Sequence, residues 1–255
     1  MSQFGNLYSH YYDLLYQDKD YQAEEKYVSS LIQHYMPNAH TLLDLGCGTG
    51  KHAELFCDRG FTVHGIDLSL DMLSIAEKRR VSKENRLSFS HSCIQSLRLD
   101  KKFDVVTSLF HVMSYQVSNQ ELIQAFKVAK EHLVDEGIFI FDFWYGPAVL
   151  TEQPVTKIKR LENDLIKVIR FAEPTLFPQK NSVDVNYDIF VQDKLKNAVF
   201  MEKNELHKMR YLFDMELDFI CDLIGFQVLN KHKWMSTESP SFNSWNVVWI
   251  LRNLK

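Results

Sequence analysis

The residues best placed to do chemistry come early in the chain, in Leu42-Leu43-Asp44-Leu45-Gly46-Cys47-Gly48-Thr49-Gly50. An apolar run that ends in Gly-x-Gly-x-Gly reads as a strand turning sharply into a helix that opens near Lys51. Glycines at such a turn let the backbone bend and let a ligand approach with no Cβ in the way. The helix start adds unpaired N–H groups that favour an anionic end of that ligand. A dinucleotide site asks for G-x-G-x-x-G. Counted from Gly46, the third glycine position falls on Lys51, so that pattern is not met. A second apolar run ends in Gly65-Ile66-Asp67, and a carboxylate at such a strand tip can accept both hydroxyls of a ribose. Together, in this order, the two features favour a nucleoside site over a purely structural turn.

Other reactive side chains are scattered. Cys47, Cys57, Cys93 and Cys221 never approach C-x-x-C spacing, and the ten histidines show no H-E-x-x-H or similar pattern. Free thiols are therefore expected, with no disulfide framework, zinc site or catalytic metal. His111 follows an apolar run, in the loop region where open α/β sheets place their ligands; a satisfied loop histidine is the alternative. Later, Glu205-Leu206-His207-Lys208-Met209-Arg210-Tyr211 alternates, so Glu205, His207 and Met209 share one face while Lys208 and Arg210 share the other. The forked guanidinium of Arg210 suits a phosphate or carboxylate, a solvated outer face being the alternative. Lys78-Arg79-Arg80 reads as the basic end of a helix complementing its dipole, not as a nucleic-acid patch.

The elements that position these residues follow from period and punctuation. Tyr27, Leu31, Ile32 and Tyr35 recur at helical spacing after Asp20, and Pro37 stops that helix. Strands are expected at 41–46, 61–67, 86–92, 103–110 and 138–144, with helices at about 51–59, 68–80 and 119–133 between them. Alternation of near-continuous apolar strands with helices means a parallel sheet covered on both faces. From Pro154 to about Phe213 the pattern changes to long, partly alternating strands joined by polar turns at Glu162-Asn163-Asp164 and Gln192-Asp193-Lys194, an antiparallel excursion. A helix at 214–224 and two further strands close the chain.

The 255 residues, 33 acidic against 29 basic, fit one large domain or a core with an elaborated insert. With 45% hydrophobic and 24% charged residues, disordered and fibrous classes are excluded. The net charge of −4 argues against nucleic acid as a partner. No apolar run approaches the roughly 18 residues of a membrane span, and the polar, tyrosine-rich start does not resemble a signal peptide, so a cytoplasmic location is expected.

The LLDLGCGTG turn with Asp67 at the next strand tip resembles the nucleoside-binding turn of class I S-adenosylmethionine-dependent methyltransferases. Taken with Tyr12-Asp13-Leu14-Leu15-Tyr16, Lys19-Asp20-Tyr21, Ser108-Leu109-Phe110, Tyr115 and Phe143-Trp144, the chain is similar to the amino-sugar N-methyltransferases of that family, which act on nucleotide-linked deoxyamino sugars. The resemblance implies a Rossmann-like, seven-stranded, mostly parallel sheet with an antiparallel β insert after strand five. Residues 1–150 and 214–255 would form the core with an N-terminal helical cap, and 151–213 the insert covering the active site.

It further implies S-adenosyl-L-methionine as cofactor and a small-molecule acceptor. Asp44 would brace the turn of Gly46, Cys47, Gly48 and Gly50; Asp67 and Leu68 would take the ribose; Phe110 would flank the adenosine. Tyr16 and Tyr21 would lie over the methionine end, with Tyr16 also counted catalytic. Cys93 stands where the family carries an acid for the adenine amino group, so Ile94 N–H and apolar packing would carry more of that contact. Tyr115 falls where the family has a histidine or tyrosine near the acceptor nitrogen, and Trp144 and Tyr145 belong to the same rim. Tyr12, Tyr16 and Trp144 could wall the sulfonium, each aromatic face being worth about 0.5–2 kcal/mol to a cation.

An amine acceptor asks least of the sequence. A hydroxyl acceptor would draw on His111 or His207 as base. O-methylation of a sugar or phosphorylated small acceptor, a non-catalytic nucleoside binder, and a protein methyltransferase all stand as alternatives. Exposed strand edges in the insert make a homodimer possible.

Overall fold

The computed structural model describes Leu14 and residues 19–255 without 82, 84, 196 and 197, and gives only the backbone for 198–204. The first helix, α1 (Tyr21–Tyr35), starts where Asp20 caps it by accepting from Ala23 N–H at 2.9 Å. Then β1 (Thr41–Leu45), α2 (Lys51–Arg59), β2 (Thr62–Asp67), α3 (Leu70–Arg80), β3 (Leu87–His91), β4 (Phe103–Ser108), α4 (Asn119–Glu131) and β5 (Leu133–Trp144) alternate as expected. After α5 (Gly146–Thr151) come β6 (Lys157–Glu162), β7 (Ile166–Phe177), β8 (Ser182–Asp193) and β9 (Ala198–Arg210). The chain finishes with α6 (Asp214–Ile224), β10 (Phe226–Lys233) and β11 (Asn246–Asn253).

Seven strands form one sheet in the order β10-β11-β5-β4-β1-β2-β3, parallel except for β11, which runs antiparallel to both β5 and β10. This is the Rossmann-like sheet implied by the resemblance. Its apolar strands are explained by burial on both faces. Leu43, Leu45, Val106 and Phe139 point into one core with α4 and α6, while Leu42, Val105, Ile138 and Ile140 point into another with α1 and α2. The order reverses between β1 and β4, so the carboxyl ends of these two strands flank a crevice.

Apart from end shifts of one or two residues, one boundary and one element differ from expectation. β5 starts at Leu133 rather than 138, because Asp135-Glu136-Gly137 forms a bulge within the strand instead of a turn before it. Glu136 adopts a left-handed φ of 64°, and the pairing with β4 jumps from Phe103↔Leu133 to Val105↔Ile138. The short helix α5 was not anticipated; Pro147 in its first turn supplies the start signal.

The antiparallel excursion is a four-stranded meander, β6-β7-β8-β9. Its first turn is held by Asn163 Oδ1, which accepts from Leu165 and Ile166 N–H at 2.9 and 2.8 Å. Val183, Val185 and Tyr211 pack with Val149 of α5, and Leu14 is buried among Ile166, Val168, Ile189 and Val191. None of the helices among the described residues is long and apolar enough to cross a membrane.

Candidate functional site

The glycine turn adopts the strained shape that its sequence suggested. Gly46, Gly48 and Gly50 have φ of 78°, 55° and 72°. At Gly46 a Cβ would also sit 2.6 Å from Val112 Cγ1, so the position excludes side chains twice over. Asp67 ties this turn to the tip of β2. Its Oδ2 accepts from Gly48 N–H at 2.7 Å, and its Oδ1 from Ser69 N–H at 2.8 Å. Beneath the turn, Asp44 is 2% exposed and accepts from Thr107 Oγ1 at 2.9 Å. Burial raises its carboxyl to about 6, despite the opposing effects of His52 and Thr107; Asp67 adds to the rise.

From this turn a crevice of about 280 Å³ runs towards the meander. Tyr21, Asp44, Gly46, Cys47, Gly48, Asp67, Phe110, His111, Tyr115, Trp144 and His207 all line it. The fold therefore gathers eleven of the residues singled out in the sequence. Tyr115 Oη and His207 Nδ1 lie 2.7 Å apart, which joins the loop after β4 to β9 across the crevice mouth. The Glu205/His207/Met209 face of β9 is the one turned to the crevice, as Met209 lines it too.

Other expected residues stand elsewhere. Arg210 is 8% exposed and its guanidinium engages Glu216, Asn119 Oδ1 and Val117 O, so it serves the packing of β9 on α4 and α6 rather than facing an acceptor. Tyr145 is also turned into the core, its hydroxyl donating to Asp214 at 2.8 Å; burial and that carboxylate push its phenol well up. Gly50 is the N-cap of α2 and packs against Phe89 and Ala76. Cys93 starts a 3-10 turn with its thiol on Gln95 Oε1, Ile94 is buried in the core, and Leu68 is exposed; these three do not line the crevice. Tyr12 and Tyr16 lie outside the described residues.

His52, Val112 and Tyr187 line the crevice and were not read from the sequence; Thr49, Lys51, Leu109 and Met209, quoted only within their motifs, line it too. His52 is 2.8 Å from Glu24, which also pairs with Lys19 at 2.6 Å. Burial pushes the Glu24 carboxyl up, but these two partners outweigh it and hold the group low. Lys19 Nζ in turn lies 3.9 Å from the centre of the Phe110 ring. Asp142, behind the crevice, was also missed. It is 1% exposed and accepts from His111 N–H at 3.1 Å. The signal was there: one acid in the apolar strand IFIFDFW must find a partner.

A glycine cradle and a carboxylate-tipped neighbour, both at the carboxyl ends of parallel strands beside a topological switch point, define a nucleoside-binding α/β protein. The methyltransferase domain family matches residues 42–137. The chain is 32% identical over 142 residues to a dTDP-3-amino-3,6-dideoxy-α-D-glucopyranose N,N-dimethyltransferase from Streptomyces fradiae, covering 55% of this chain and 54% of that protein. It thus spans about half the length of that curated relative. It is 30% identical over 171 residues to a dTDP-4-amino-2,3,4,6-tetradeoxy-D-glucose N,N-dimethyltransferase from Saccharopolyspora spinosa, 67% of each chain. A solved S-adenosylmethionine-dependent methyltransferase from Clostridium acetobutylicum shares the fold with a TM-score of 0.82 and 23% identity, covering 98% of this chain and 99% of that one. The chain belongs to the class I S-adenosylmethionine-dependent methyltransferase family.

Proposed function

We propose that this protein transfers the methyl group of S-adenosyl-L-methionine to the nitrogen of a small amine, an amino sugar being the favoured class. The observation that carries this is the continuity of the crevice, from the Asp67–Gly48 tie to the cluster of Tyr115, Trp144, Tyr187 and His207. The donor set fits the cofactor: a carboxylate for ribose hydroxyls, a turn with no Cβ in the way, and aromatic faces for a cation. Bound there, the cofactor supplies an electrophilic methyl on a sulfonium, whose sulfur keeps the electron pair of the broken bond.

The chain's own task is alignment and exclusion of water. Asp44 and Asp67 hold the turn; Tyr21 and Phe110 flank the crevice; Tyr115, Trp144 and His207 bound the space left for the acceptor. Residues 151–213 act as an insert over a core made of 1–150 and 214–255. The substrates in the names of the two bacterial relatives support an amino-sugar acceptor. Transfer to a hydroxyl is the second reading, favoured by the imidazole of His111 in the crevice wall. Calorimetric titration with S-adenosylmethionine, followed by a product search over amino-sugar nucleotides with mass fragmentation, separates N- from O-methyl transfer. Tight binding with no product from any acceptor would instead favour a nucleoside binder.

A further inference from the structure

We infer that Asp142 is a positioning residue that fixes the tautomer of His111, so that the imidazole offers Nε2 to the crevice as a proton acceptor. The inference rests on the methyl-transfer reading above and gives that site a base.

Phe110 and His111 are consecutive non-glycine residues with left-handed φ of 66° and 63°. Such a conformation is strained for a residue with a side chain and persists only where the surroundings hold it. Asp142 does the holding: Oδ1 accepts from His111 N–H at 3.1 Å, and Oδ2 lies 2.7 Å from His111 Nδ1. Nδ1 is buried and makes no aligned hydrogen bond among the described residues, so Asp142 Oδ2 acts on it as a carboxylate oxygen in close contact. A carboxylate can only accept, so the neutral imidazole keeps its proton on Nδ1. That leaves the lone pair on Nε2 of a side chain that is 17% exposed, in a residue that lines the crevice together with Tyr115, Trp144 and His207.

The chemistry follows from this charge arrangement. An amine that enters as an ammonium, or a hydroxyl, must lose a proton to become nucleophilic. The N–H or O–H bond breaks, its electron pair stays on the acceptor, and the proton goes to Nε2. The imidazolium so formed lies against a carboxylate that is 1% exposed, so each charge compensates the other where water cannot. After transfer the proton leaves from Nε2 to solvent.

Asp142→Asn tests this with little steric change. The amide oxygen can keep the bond to His111 N–H, while the amide N–H₂ faces Nδ1 and forces the proton onto Nε2, replacing the acceptor in the crevice by a donor. Nitrogen-15 shifts of the histidine rings, assigned by difference against His111→Gln, report the tautomer without any turnover. The wild type is expected to carry the proton on Nδ1 and Asp142→Asn on Nε2. Turnover is expected to fall about tenfold or more at saturating cofactor, with affinity for S-adenosylhomocysteine within about twofold. A wild-type proton on Nε2, or unchanged turnover in a folded Asp142→Asn, overturns the inference. Should the variant not fold, the wild-type tautomer alone decides it. Should the wild type methylate nothing while its proton sits on Nδ1, the methyl-transfer reading fails and the tautomer assignment stands.

Discussion

The backbone N–H of Gly48 donates to Asp67 Oδ2 at 2.7 Å, so the glycine turn after β1 and the tip of β2 move as one unit. Each Asp67 oxygen spends one lone pair on the backbone and keeps capacity for a further donor. Hydrogen bonds to a charged acceptor contribute about 1.5–3 kcal/mol each. Asp67→Ala is therefore expected to weaken S-adenosylhomocysteine binding by about tenfold or more in calorimetric titration; an unchanged affinity would remove Asp67 from the site.

Asp44 stores a pH-dependent cost. Its carboxyl is 3.8 in the unfolded chain and about 6 in the fold, so the folded state binds the extra proton between those values. The associated stability is fully present below 3.8 and is lost as pH rises through about 6. Asp44→Asn keeps an acceptor for Thr107 and has no charge to bury. Its stability should match the wild type at acid pH and exceed it above the window by roughly 3 kcal/mol, read as a higher melting temperature. Equal melting curves at all pH values would contradict this origin of the shift.

At Gly46, alanine meets two obstacles, Val112 at 2.6 Å and a φ of 78°. Gly46→Ala should lower stability by about 2 kcal/mol in urea unfolding, and adding Val112→Ala should restore only part of it, since the left-handed backbone still costs about 1 kcal/mol. Full recovery in the double variant would mean that the backbone conformation carries no cost.

Tyr115 and His207 join the loop after β4 to the meander. With Tyr115→Phe, amide exchange at residues 205–210 should speed up while β1 keeps its protection. Unaltered exchange on β9 would show that this bond does not hold the meander in place.

Arg210 was expected either at an acceptor phosphate or carboxylate or on a solvated face, and its contacts with Glu216 and Asn119 instead tie β9 to α4 and α6. Arg210→Met leaves a partly buried carboxylate unpaired and should cost about 2–3 kcal/mol in unfolding free energy, with cofactor affinity retained.

The alternation of strands and helices was legible because both sheet faces are buried, which made Leu42–Leu45 and Ile138–Phe143 apolar runs, each broken by a single acid. Gly46, Gly48 and Asp67 were legible because backbone shape and charge leave few other residue types at a nucleoside turn. The face of β9 that holds His207 followed from strand alternation. What alternation could not give was which way that face turns, since this depends on how the meander docks on α5 through Val183, Val185 and Tyr211. For the same reason Arg210 looked available and Tyr187 went unnoticed. The His111–Asp142 pair joins residues 31 apart through a left-handed loop that no local period signals.

A crystal structure of the protein grown with S-adenosylhomocysteine tests the central claim most directly. The account requires both ribose hydroxyls within hydrogen-bond distance of Asp67 and the thioether sulfur facing the space bounded by Tyr115, Trp144 and His207. Density for the ligand away from Asp67, or a crevice left without it at saturating concentration, would contradict the account.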